Sequence, residues 1–184
     1  LRRQRQMCIR DSSRSVAGDF SGVRFENEHG AARFERDGAR WLIHSETAEG
    51  RTEELEVRYT FGVEPLQQYL IEQPGGRLQA FHLAWDSRPR ASGGQRWFSL
   101  QEPGVVQPGD VMHWTGPGQN WNSQCSDCHS TGIKRGYNVD TGNYATTWAE
   151  IDGGCGACHG PGSEHVAWAS AASGRGASPG EDLG

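Results

Sequence analysis

The chain has 184 residues, 34% of them apolar and 22% charged, with 26 Gly, 8 Pro and a net charge of −5. An apolar share below the roughly 45–50% of ordinary domains, a figure that also counts Gly, points to a thin protein core that disulfides, metal or a large cofactor would complete. The excess of acidic over basic residues excludes a grip on nucleic acid through clustered Lys and Arg, and no run approaches the ~18 apolar residues of a membrane-spanning helix.

Arg2 through Ser12 has neither the apolar stretch nor the small-residue cleavage site of a signal peptide. It reads as one frame of a transposon adapter used for sequencing libraries, so residues 1–12 are expected to be an adapter-derived scar. Without them the balance is 14 basic to 22 acidic residues, and four cysteines remain. Residues 13–102 are the β-rich region. Val23 with Phe25, Trp41 with Ile43, and Leu55, Val57, Tyr59 and Phe61 alternate with the period of a strand. Asp37-Gly38 marks a hairpin turn. Pro65 to Leu70 is predicted as one helical turn with Pro at its first position. Phe81, Leu83 and Trp85 alternate again, and Trp97 to Leu100 is a further short run. The pattern predicts an antiparallel sheet of five or six short strands.

Regular periodicity fades from Pro103, and Gly, Pro, Trp, Cys and His take over through residues 103–172. Trp114, Trp121, Trp148 and Trp168 all fall here. One helix is predicted, Glu164 to Ala172, with Ser163 as its N-cap. Residues 173–184 read as a flexible linker.

The four remaining cysteines form one pattern twice: Cys125-Ser126-Asp127-Cys128-His129 and Cys155-Gly156-Ala157-Cys158-His159. Cys-x-x-Cys-His is the attachment motif of haem c. Two thiols three positions apart can add to the two vinyl groups on one porphyrin edge, and the next residue's imidazole then ligates the iron. Two haems c are therefore expected, with Cys125, Cys128, Cys155 and Cys158 as attachment points and His129 and His159 as proximal ligands. Zinc is an alternative, because paired Cys-x-x-Cys is also a ribbon signature. The spacing between the pairs is longer than usual for it, and zinc has no need of a His after each pair. Cys155 to Gly162 also fits the Cys-x-x-Cys-x-Gly-x-Gly repeat of DnaJ-type chaperones, but Ser130 breaks that pattern in the first copy. A thioredoxin-like dithiol would need a βαβ unit, and none is visible.

Several stretches resemble a family of multihaem c-type cytochromes: Tyr59 to Leu70, Gly93 to Phe98, His113 to Gly116, Asn120-Trp121-Asn122, and above all Cys155 to His165. The resemblance runs over about residues 20–170. It is to the broad group containing the tetrahaem carriers of nitrifiers and the hydroxylamine oxidoreductases, whose members carry a further attachment motif upstream and often tetratricopeptide repeats downstream. It implies a piece of a longer periplasmic or otherwise extracytoplasmic protein, since haem attachment follows export.

Each iron has a sixth position. Met112 is the only Met outside the scar, so bis-His ligation is expected. His29 and His44 read as surface residues and His82 as a satisfied core histidine. His113, beside Trp114, and His165, on the first turn of the predicted helix, are the candidate distal ligands. Six residues reach about 20 Å only when extended. The Gly-Pro-Gly bend after His159 prevents that, so His165 is expected to serve a neighbouring haem. Trp121 and Trp148 read either as haem-stacking side chains or as core. The expected fold is α+β: a small antiparallel β-rich region, then a loop-rich, haem-cored segment with few short helices. The expected function is electron transfer to basic redox proteins or other multihaem cytochromes, with no catalytic residues assigned. An oxidoreductase acting on a small nitrogen or sulfur compound and a zinc-binding interaction module are the alternatives.

Overall fold

The computed structural model describes residues 16–27, 30–46, 50–101, 106–150, 160 and 162–172. The adapter-like residues 1–12, His29, the second motif Cys155–His159 and the linker at 173–184 lie outside the described residues.

Eight strands make one antiparallel sheet: β1 (Ser21–Asn27), β2 (Gly30–Asp37), β3 (Arg40–Glu46), β4 (Thr52–Phe61), β5 (Leu66–Gln73), β6 (Arg77–Ala80), β7 (Leu83–Asp86) and β8 (Arg96–Ser99). Seven follow the path β1-β2-β3-β4-β5-β7-β8, and β6 pairs β5. The predicted hairpin is present: Asp37 faces Arg40, and Gly38 takes a φ of 57°, which a residue with a Cβ resists. The helical turn predicted at Pro65 to Leu70 is replaced by the start of β5. Its interior reads Tyr69, Leu70, Ile71, all buried, so apolar residues point to both faces, as in a strand covered on both sides.

The two ends of the path approach one another. On β8, Trp97 stacks on Phe34 of β2 with ring centroids 3.5 Å apart. Its indole N–H donates to the carbonyl of Asp19, just before β1, at 3.1 Å. The sheet is thereby rolled nearly closed around a first core of Phe20, Phe34, Ile43, Leu55, Val57, Tyr69, Ile71, Phe81, Leu83, Trp85, Trp97 and Trp114.

The expectation of an α+β fold with a haem-cored segment does not hold. The protein is mostly antiparallel β, with 45% strand and 16% helix in a barrel-like sheet. What misled the composition argument is visible in the packing. Trp114 fills the first core, and Trp121 fills a second one on the opposite face of β4, β5 and β6 with Phe61, Leu70, Leu78 and Ala80. Aromatic side chains supply much of the interior that the low apolar fraction left unaccounted for.

Beyond the sheet come α1 (Trp121–Gln124), α2 (Ser126–His129), the small hairpin of β9 (Tyr137–Asn138) and β10 (Asn143–Tyr144), and α3 (Ser163–Ala172). Helix α3 starts one residue earlier than predicted: Ser163 is already helical, and Val166 N–H donates to Gly162 O at 2.9 Å. No helix among the described residues is long and apolar enough to cross a membrane.

Candidate functional site

The first motif sits on a short helical turn. Asn120 caps α1, its side-chain oxygen accepting from Ser123 N–H at 3.1 Å. The turn continues through Cys125, where the N–H groups of Cys128 and His129 both donate to Cys125 O, at 3.2 and 3.1 Å. Residues three and four apart on such a turn share a face. Cys125, Cys128 and His129 therefore point the same way, as neither a strand nor an extended loop would allow. Both thiols are free; Cys125 is half-buried and Cys128 exposed. Burial, and secondarily the neighbouring Cys128, raise the Cys125 thiol above its ordinary pKa, which keeps it protonated.

The sheet side of this turn is apolar. Cys125, Ile133, Trp148 and Tyr59 pack against the second core. The ring of His129 meets the edge of Phe61 with centroids 5.7 Å apart. Phe61 reaches it because of a bulge. The β4–β5 register shifts between Val57 and Tyr59, so Leu55 and Val57 face the first core while Tyr59 and Phe61 face the second. Strict alternation had placed all four on one face; the inserted residue re-aims the last two. On the solvent side, Arg135 forms an ion pair with Asp127 inside the motif.

Sequence reasoning gave no weight to the amides that hold this turn. Asn122 is fully buried. Its Oδ1 accepts from Leu78 N–H at 2.7 Å, and its Nδ2 donates to Gly76 O at 3.2 Å and Thr146 Oγ1 at 2.8 Å. Gln79 Nε2 donates to the carbonyls of Trp114 and Gly116, both at 2.9 Å, and Asn120 Nδ2 donates to Gln79 Oε1 at 3.1 Å. The only signal in the sequence was the pair of Asn residues flanking Trp121.

Among the described residues no other candidate ligand joins this site. His113 is half-buried, with Thr115 Oγ1 2.8 Å from its Nδ1, and its neighbour Trp114 belongs to the first core. His165 lies on α3 with its side chain outside the described residues, and Val166 and Trp168 on the same helix are 62% and 56% exposed. Among the described residues no group of three or more His, Cys, Asp or Glu comes together as a metal site. Trp121 and Trp148 meet edge to face at 5.9 Å, and Trp121, with no exposed surface, fills the second core. His44 is half-buried on β3, near Glu35 at 3.7 Å.

His82 departs from the satisfied core histidine that was expected. It occupies the break between β6 and β7, its ring against Phe81 at 4.5 Å, and its buried Nδ1 finds no hydrogen-bond partner among the described residues. Burial first, and then the charge of His113, lower its pKa from 6.5 to about 4. The unfolded chain thus takes up this proton before the folded one. Stability is expected to be full above pH 6.5 and to fall as the pH drops from 6.5 to 4, by about 3 kcal/mol in all. Urea unfolding of the cofactor-free chain at pH 7 and 4.5 checks this. A loss of the same size in His82→Leu would assign it elsewhere.

Comparison with protein-family models, curated proteins and solved structures finds no match to this chain.

Proposed function

We propose that the chain is part of a c-type cytochrome that carries electrons through covalently attached haems outside the cytoplasm. The observation that supports this best is the helical turn bearing Cys125, Cys128 and His129, with both thiols free and an apolar wall beside them. The donor set suits haem c. Cys125 and Cys128 would hold the haem, each thiol adding across one vinyl group with no net redox change, and His129 would ligate the iron; Cys155, Cys158 and His159 repeat the same donor set in the sequence. The bound haem supplies the one-electron iron couple; the chain supplies its attachment, its proximal imidazole and partial burial. His113 and His165 are the histidines proposed for distal ligation. The acidic balance outside residues 1–12, 14 basic to 22 acidic residues, favours basic redox partners.

Expression in a host with periplasmic cytochrome maturation tests the reading. Intact mass after acid-acetone extraction and a pyridine haemochrome spectrum are expected to show two covalent haems per chain. A chain without haem that instead holds zinc would overturn it.

A further inference from the structure

Strand β6 has one edge on β5. Among the described residues its other edge gains no strand, although the collinear β7 is paired there by β8. Residues 120–122 occupy that place. Gln79 and Asn120 form an isolated antiparallel bridge, and the Asn122 side chain then acts as one more peptide group, accepting from Leu78 N–H and donating to Gly76 O. From the same residue the connection runs into the motif: Ser126 Oγ, between the two cysteines, donates to Asn122 O at 2.9 Å, and both residues are fully buried. Thr146 closes the ring of contacts by accepting from Asn122 Nδ2 and donating to Arg135 O at 2.7 Å. Arg135 in turn pairs with Asp127 of the motif.

We infer that Asn122 is the positioning residue of the first Cys-x-x-Cys-His turn, clamping it to the edge of β6 so that Cys125 stays half-covered and His129 stays against Phe61. The inference deepens the haem-attachment reading as regards the role of the turn, and it has a readout independent of haem. A four-residue helix has little stability of its own; its orientation comes from what holds it. Trp121 supplies non-directional burial, whereas the amide fixes the angle, because its donor and acceptor must each meet a specified backbone group.

The test uses the full chain with Asn122→Ala, with Thr146→Val as a milder cut in the same ring of contacts, and with Phe34→Leu as a control that weakens the first core far from the turn. In the cofactor-free chain, peptide-resolved alkylation compares Cys125 with Cys128. Loss of the Asn122 side-chain hydrogen bonds, the buried one from Leu78 N–H above all, is expected to raise local opening, and with it the Cys125 rate, by about tenfold to a hundredfold, less in Thr146→Val. Cys128, already exposed, changes little, and Phe34→Leu leaves the ratio near wild type. In the matured chain, the same variants are expected to shift the low-spin electron paramagnetic resonance signal and potential of one haem only. If Asn122→Ala does not fold, judged by circular dichroism, Thr146→Val decides. A Cys125 rate that follows global stability alone, equal in Phe34→Leu and the clamp variants, overturns the inference. A wild-type chain that takes no haem overturns the cytochrome reading, and the thiol rates still decide the role of Asn122.

Discussion

Replacing both Cys125 and Cys128 with Ala is expected to remove one of two haems and halve the pyridine haemochrome absorbance per chain. The two thiols lie three residues apart on one turn, so on the proposed reading both would attach to one porphyrin edge. Without them only the His129 imidazole tethers that haem, and a single axial bond does not survive acid-acetone extraction. Cys128→Ala alone leaves the thioether to Cys125. One vinyl group then remains unsaturated, and the haemochrome band of that haem moves to longer wavelength while the other keeps its position. The single variants are not expected to behave alike during maturation. Cys128 is exposed, whereas Cys125 is half-buried with a raised pKa. Cys125→Ala also takes an apolar contact out of the second core. Intact mass of each variant, with and without extraction, checks the count. Two retained haems in the double variant would place attachment elsewhere.

Trp121→Ala is expected to have the largest effect on stability. The side chain has no exposed surface and packs with Phe61, Leu70, Leu78 and Ala80 across three strands. Truncating a buried Trp costs about 3–5 kcal/mol, because the surroundings close only part of the cavity. Its indole N–H is buried with no hydrogen-bond partner among the described residues. Trp121→Phe discards that unsatisfied donor while keeping much of the apolar area, so a loss of about 1–2 kcal/mol is expected. Urea unfolding followed by far-ultraviolet circular dichroism measures both. A loss below about 1 kcal/mol for Trp121→Ala would mean that the second core does not contribute to the cooperative unit.

Local patterning made much of this molecule legible. Alternation at Val23 and Phe25, at Trp41 and Ile43, and at Leu83 and Trp85 marked strands, and Asp37-Gly38 marked a hairpin, because period and turn chemistry are set by neighbours in the chain. The first Cys-x-x-Cys-His pattern stood out for the same reason, since its five residues are contiguous; that they sit on a helical turn did not. What failed depended on distant partners. Pro65 to Leu70 carried a helix-start signal, yet Leu70 and Tyr69 gain cores on two faces as strand residues. Nothing local marks the bulge that separates Val57 from Tyr59, since it is defined by the register with β5. The core roles of Trp114 and Trp121 were not legible because the surfaces they cover are built by residues far earlier in the chain. The buried amides at Gln79, Asn120 and Asn122 look like ordinary polar residues until their partners are known.

The cover on β6 has a consequence in time. Leu78 N–H waits for an acceptor 44 residues further along the chain. At ribosomal rates of roughly 5–20 residues per second that interval is about 2–9 s. During those seconds the nascent chain presents Leu78 and Gln79 on an open strand edge, ready to pair with a neighbouring copy. A chain truncated before Asn120 keeps that edge open, so it is expected to aggregate more readily than the full chain, as light scattering would show.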